Sequence, residues 1–265
     1  IGDYAFAGCT EMNSLTLPES LTRMGYYVIK GTKISSITIP RNVENSNTDS
    51  YGYPNGAMAG ALKLNTVIFE KGMTKIPGYI CASSNYTSYI TKVVIPDTVE
   101  SIGSYAFYKC ESLSTVSIPK QVAYIGNQAF AGCSNLETVE LHYNDAMINT
   151  STSGVQPYSL SIGDNAFEND EKLTSINLTE NVTGIGDYAF AGCTEMSSLT
   201  LPESLTRMGY YVIKGTKIRS ITIPKNVTYS DSNSGNGAMA GALKLNTVIF
   251  EEGMTKIPNY ICASG

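Results

Sequence analysis

The pattern IGxxAFxxCxxLxxVxIPxxV, plainest at Ile102–Val122 (IGSYAFYKCESLSTVSIPKQV), returns along the chain at a spacing of about 23 residues. A fixed period of this size constrains the fold more than composition does. One unit is too short to bury its own apolar face, so successive units must stack and share an elongated core. Aligned on LxxVxIP, ten copies follow one another, with the first inward strand residue at Leu15, Ile37, Val67, Val93, Val116, Val139, Ile176, Leu199, Ile221 and Val248.

Within a copy, the alternation Val116, Ser117, Ile118 has the period of a strand with one buried face, and Pro119 ends it. Parallel strands stacked at about 4.8 Å then build a sheet along one side. The return segment carries IGxxAFxxC. Gly103 reads as a tight-turn residue, and AFYKC is compatible with one helical turn that drives Phe107 inward. Phe6, Phe107, Phe130, Phe167 and Phe190 share that slot, and Ile29, Met58, Cys81, Ile213, Met239 and Cys262 replace them elsewhere. The expectation is a repeat solenoid of about 10–11 rungs. It has a parallel β-sheet on one face and short turns or single helical turns on the other.

A second level of order lies above the rung. Residues 1–43 return as 185–227 with only Asn13/Ser197, Ser35/Arg219 and Arg41/Lys225 changed, and 56–83 return as 237–264 with only Lys71/Glu252 and Gly78/Asn259 changed. Copying of a block, 1–83 into 185–264, lengthens an array and suits a spacer or a multivalent surface better than a single active site. Residues 1–265 read as one elongated domain, a fragment of a longer array without its terminal caps.

Charge excludes several partner classes. The net charge is −5, and the 18 Lys and Arg residues are scattered, so no basic stripe is available to neutralise phosphates or anionic lipid. No apolar run is long enough to span a bilayer. Nucleic acid and direct membrane insertion are therefore not expected. The chain has no CxxC pair, and His142 is its only histidine, so neither metal nor cofactor is expected. No GxSxG elbow or Gly-rich phosphate loop surrounds His142, and no enzyme is expected. Cys9, Cys110, Cys133 and Cys193 share one small-residue slot, which reads as buried thiols; a bridge between Cys110 and Cys133, on adjacent rungs, stays open.

The outward strand positions are mostly Ser and Thr. Ile68 and Val94, on adjacent rungs, form an apolar patch on that carpet, repeated in part at Ile249. Tyr4, Tyr27, Tyr79, Tyr105, Tyr188, Tyr211 and Tyr260 hold one slot on the return side, a ladder that either covers neighbouring rungs or stacks on glycans. Insertions rich in Asn, Ser, Thr and Tyr interrupt the rungs, and the longest, His142–Leu160, carries Tyr143 and Tyr158 as candidate contacts.

On these motifs, the chain resembles the BspA-like leucine-rich repeat family, found in secreted or surface-anchored proteins of bacteria and in surface proteins of some mucosal protists. The resemblance implies a right-handed leucine-rich-repeat solenoid at the cell surface, with signal and anchor outside this segment. It also implies a non-enzymatic adhesion scaffold that engages host extracellular-matrix or surface protein. Positions such as Gly103, Phe107, Cys110 and Pro119 carry over as structural residues only, and Asp170 in the Cys slot departs from the pattern. The alternatives are a glycan-binding module using Tyr-rich loops, or a passive surface spacer.

Overall fold

In the computed structural model, residues 1–46, 52–143, 159–230 and 235–264 are described. The LxxVxIP segments form short strands at Ser36–Ile39, Thr66–Phe69, Lys92–Val94, Thr115–Ile118, Thr138–Leu141, Ser220–Ile223 and Thr247–Phe250. Adjacent copies pair in parallel and in register, Ile37 with Val67 and Val67 with Val93 in one group, Val116 with Val139 in another, Ile221 with Val248 in a third. Among the described residues, the stretches between these groups carry the isolated bridge Asn177–Thr200 and no ladder. This front face is a row of separate ladders.

A second sheet runs continuously behind it. Short strands, four of them ending on the Ile of an IG pair, from Lys75–Ile76 through Ser101–Ile102, Tyr124–Ile125, Leu160–Ile162, Val182–Ile185 and Arg207–Met208 to Tyr229–Ser230, join into one seven-stranded parallel sheet. Seven turns of the coil are thus tied together along one edge. The chain is a parallel-strand β-solenoid.

The helical turn expected at AFxxC is not formed; no helix occurs among the described residues. Instead the N–H groups of Tyr105, Phe107 and Lys109 donate to Asn127, Ala129 and Ala131 of the next coil at 2.8–2.9 Å, while those of Ala106, Tyr108 and Cys110 close turns onto Gly103, Tyr105 and Phe107. A helical turn would direct these donors back within the coil and strand the carbonyls of the neighbour. Positive φ at Tyr105 (58°) and Lys109 (53°) breaks any helical run.

Glycine in the IG pair has a different reason from the one its sequence suggests. A Cβ on Gly126 would stand 2.5 Å from the Ser104 nitrogen and one on Gly103 would stand 2.4 Å from that of Gly78. Close approach of coil on coil excludes a side chain here.

The predicted inward column is the core. Ile37, Val67, Val116, Val139, Ile176, Leu199 and Ile221 are buried, and Leu15, Val93 and Val248 are half-buried against them. The Phe slot makes a stack: Phe107 on Phe130, Phe130 on Phe167, Phe167 on Phe190, with centroids 5.1, 5.4 and 5.6 Å apart and planes within 13°. Cys81 replaces the ring in the coil before Phe107, and Phe69 from the strand side meets Phe107 edge-on at 6.0 Å.

The six cysteines are free, so the Cys110–Cys133 bridge is not formed. Each of these two thiols instead meets a carbonyl of the preceding coil, Cys133 that of Phe107 at 3.2 Å and Cys110 that of Cys81 at 3.5 Å. Burial pushes the Cys110 thiol up to about 12, so it stays protonated and unreactive. Cys9 and Cys262, on the first and last coils, are exposed.

Candidate functional site

The strand alternation sends every second residue of the front ladders outward. Thr38, Ile68 and Val94 lie side by side through register, Ile68 opposite Thr38 on one strand and opposite Val94 on the next. Ile68 is half-buried and Val94 is 38 % exposed, so the two make one continuous apolar surface flanked by Thr66 and the exposed Lys92. Ile249 pairs with Thr222 and is 49 % exposed, at the other end of the array. The structure therefore brings Ile68 and Val94 together and leaves Ile249 apart.

Tyr143 follows the strand Thr138–Leu141 and is half-buried. Tyr158 lies outside the described residues. His142 reaches Ser117 Oγ with Nε2 at 2.7 Å, and the same nitrogen stands 4.0 Å from Glu140 Oε2. An acid–base relay needs nucleophile and carboxylate on opposite ring nitrogens, so this group is a surface hydrogen bond and no triad. Among the described residues no three His, Cys, Asp or Glu side chains converge as metal ligands.

The tyrosine slot stacks on itself. Tyr79 and Tyr105 are 4.9 Å apart and 9° from parallel, and Tyr188 and Tyr211 4.9 Å apart at 16°. All seven tyrosines of the slot sit at positive φ, between 53° and 62°, as do Gln128 and Asn165 in the same column. Lys30 lies 5.0 Å over Tyr27 and 4.7 Å over Tyr86, bonding the Tyr86 hydroxyl at 2.7 Å; Lys214 repeats the placement over Tyr211 at 5.0 Å. These rings thus have neighbours within the molecule, whereas Tyr4 and Tyr260 are exposed.

Beside this column runs a ladder that the sequence reasoning missed. The Asn127 carboxamide oxygen accepts from the Asp164 N–H, Asp164 Oδ1 from the Asp187 N–H, and Asp187 Oδ1 from the Tyr210 N–H, each at 3.0 Å. Each polar side chain caps the backbone of the next coil. The signal available was the run of Asn or Asp one place after the IG glycine.

Arg219 was passed over as well. It is exposed and lines an open groove of about 540 Å³ with Ser197, Ser198, Thr200, Lys217, Ser220 and Thr222 on the front face. Its presence among the few differences between the duplicated blocks was the signal.

The repeat geometry matches known proteins. A BspA-type leucine-rich-repeat region is recognised in six copies over residues 1–88, 74–152 and 160–264. The chain belongs to the BspA-type leucine-rich-repeat family. A leucine-rich repeat protein from Bacteroides ovatus superposes with a TM-score of 0.58 at 20 % identity, covering 90 % of this chain and 67 % of that one. One from Eubacterium ventriosum superposes with a TM-score of 0.51 at 20 % identity, covering 97 % and 70 %. Both share the fold. No curated protein sequence matches the chain. Within the BspA-type repeat, the departures at Asp170, Met58, Cys81 and Met239 fall on buried, inward positions.

Proposed function

We propose that the chain is a non-enzymatic binding scaffold at the bacterial cell surface, and that its front face docks a protein of a host or neighbouring cell. One observation carries this reading: Ile68 and Val94, in register on adjacent strands, leave an apolar surface open in the middle of a Ser and Thr carpet. Apolar centres ringed by polar residues are the usual anatomy of protein-binding surfaces. Membership of a family of surface and secreted repeat proteins supports the location and the adhesive role. Duplication of a whole block supports multivalency, since two copies of one surface raise avidity without any new contact.

The glycan alternative draws less support. Sugar stacking needs free ring faces, and in the tyrosine slot Tyr79 and Tyr105 stack on each other, as do Tyr188 and Tyr211, while Lys30 and Lys214 lie over Tyr27 and Tyr211, which leaves Tyr4 and Tyr260 as the exposed rings. The test is binding of the purified chain to arrayed extracellular-matrix proteins and glycans, alongside a variant carrying Ile68→Ser and Val94→Ser. Saturable protein binding lost in the variant is expected. Binding to glycans alone favours the Tyr-rich surface, and silence on both arrays leaves the spacer.

A further inference from the structure

The tyrosines of the return side come in pairs on consecutive coils, Tyr4 with Tyr27, Tyr79 with Tyr105 and Tyr188 with Tyr211. Gly56 between the first two pairs, and Gln128 and Asn165 between the last two, put no ring there. The positive φ shared along the slot aims each side chain alike, so a ring in one coil lies over the ring in the next. In the second and third pairs the rings are close to parallel, 4.9 Å apart at 9° and 16°. Counterpart atoms of the two rings therefore face each other at about the centroid spacing.

Other tyrosines stand nearly as close in a different orientation. Tyr108 meets Tyr105 at 5.5 Å and 61°, and Tyr210 meets Tyr188 at 5.3 Å and 82°. In the first pair the planes of Tyr4 and Tyr27 are tilted by 33°, and Tyr27 is buried, with Lys30 and Tyr86 against it. Tyr79, Tyr105, Tyr188 and Tyr211 are only half-buried and stand open to a reagent in solution. The Tyr105 oxygen accepts from Gln128 Nε2 at 2.7 Å, which holds the ring and leaves its own proton to be given up.

We propose that Tyr79 with Tyr105, and Tyr188 with Tyr211, are sites of oxidative cross-linking, each pair joining through ortho ring carbons into a dityrosine that ties one coil to the next. The oxidant is hydrogen peroxide acting through a haem peroxidase. It takes one electron and the phenolic proton from each ring, and the two phenoxyl radicals form a C–C bond between ortho carbons. Each of those carbons then passes its hydrogen to the ring oxygen, which restores two phenols. Two tyrosines lose two hydrogens in all, and one peroxide is reduced to two waters. Face-to-face rings bring the two ortho carbons together across the stack, and holding them there replaces a chance encounter of two radicals. Edge-on pairs aim a ring C–H at the neighbour's face instead. The tie closes a loop in the unfolded chain and so stabilises the array. This chemistry is independent of the front face, and holds for a spacer as well as for a binding scaffold.

The experiment treats the intact chain at high dilution, with the exposed Cys9 and Cys262 alkylated, with hydrogen peroxide and a haem peroxidase. Dityrosine fluorescence, intact mass and joined tryptic peptides are read. The expected product is a monomer lighter by two hydrogens per link, in which peptide 76–92 is joined to 93–109 through Tyr79 and Tyr105. It should melt at a higher temperature than the untreated chain. Tyr105→Phe should abolish the first link and Tyr211→Phe the second; Phe keeps the stacked ring, so the fold is safe. Tyr108→Phe and Tyr210→Phe should leave both links in place. Links that survive Tyr105→Phe and Tyr211→Phe, links that run through Tyr108 or Tyr210, dityrosine confined to dimers, or none while a free tyrosine peptide couples in the same mixture would each overturn the proposal. The Ile68→Ser and Val94→Ser variant should couple as wild type does, so failure at the apolar patch and failure at the tyrosines are read separately.

Discussion

The rings of Phe130 and Phe167 lie 5.4 Å apart and 2° from parallel, although the longest insertion of the chain separates them in sequence. The insertion leaves the spine undisturbed because the coils on either side are fixed to each other directly: Phe130 N–H donates to Ala166 O at 2.9 Å, and Tyr124 and Ile125 pair with Ser161 and Ile162. Phe130→Ala removes a fully buried ring with stacked neighbours above and below, and should cost about 3–5 kcal/mol. Phe6, on the first coil, is half-buried and stands outside the stack, so Phe6→Ala should cost less than half as much. Thermal melts of the two variants decide it; equal losses would contradict the burial difference.

Cys81 and Phe69 depart from the repeat in opposite directions of size. The consensus unit has Phe in the AFxxC slot and Ile before Pro, whereas here a small residue takes the first place and a large one the second. Cys81→Phe alone should overpack against Phe69 and Phe107 and destabilise by about 1–3 kcal/mol. Adding Phe69→Ile restores the consensus arrangement and should recover most of the loss. Denaturant unfolding of both single variants and the double variant gives the coupling; strict additivity would show that the two sites do not share one volume.

The apolar column was legible because its period repeats ten times and burial follows alternation. The second sheet was not: its strands of two to four residues have too few positions to show a period, and what stabilises them is pairing along the stack. The tyrosine slot shows the same blindness. Bulky residues rarely adopt positive φ, so Tyr105 by itself gives no hint of a left-handed turn. Asn165 and Gln128 in that column were the better indicators, since Asn tolerates this region. At the candidate surface, Ile68 and Val94 followed from alternation, whereas the groove beside Ser220–Ile223 depends on how neighbouring coils meet, which no local pattern records.

Asp170 sits fully buried in the cysteine slot. Its Oδ1 accepts from the Cys133 N–H at 2.9 Å, and its Oδ2 has no partner. Burial raises its folded-state pKa well above the ordinary carboxyl value, with the Cys133 and Gly132 backbone bonds opposing only in part. The folded protein therefore binds a proton more tightly than the unfolded chain does. The stability this protonation contributes is complete below the unfolded pKa of about 4 and is lost as pH rises through the folded value. Unfolding free energy should fall from pH 4 towards neutrality. Thr32 and Thr216 occupy the same slot and bond the Ile29 and Ile213 carbonyls at 2.7 and 2.9 Å, so Asp170→Thr has a built-in template. The variant should be more stable than wild type at pH 7 and flatter with pH; urea titrations from pH 4 to 8 test both.

The polar ladder beside the tyrosines sets how far such effects spread. Asp187 Oδ1 holds the Tyr210 N–H at 3.0 Å in a partly buried position, one coil from its own support on Asp164. Asp187→Ala removes that acceptor, and a single intramolecular hydrogen bond is worth about 0.5–1.5 kcal/mol net. Asp187→Asn keeps an acceptor oxygen and should be tolerated. Because each coil is also joined by the continuous sheet, through Ile185 to Met208 here, the loss should stay local. Amide hydrogen exchange is expected to quicken about three- to tenfold at Tyr210 in the Ala variant. Exchange at Tyr105 and Phe107, several coils away, should stay unchanged. Equal acceleration at both places would mean that the coils open as one unit and that the ladder is no more than an ornament on the sheet.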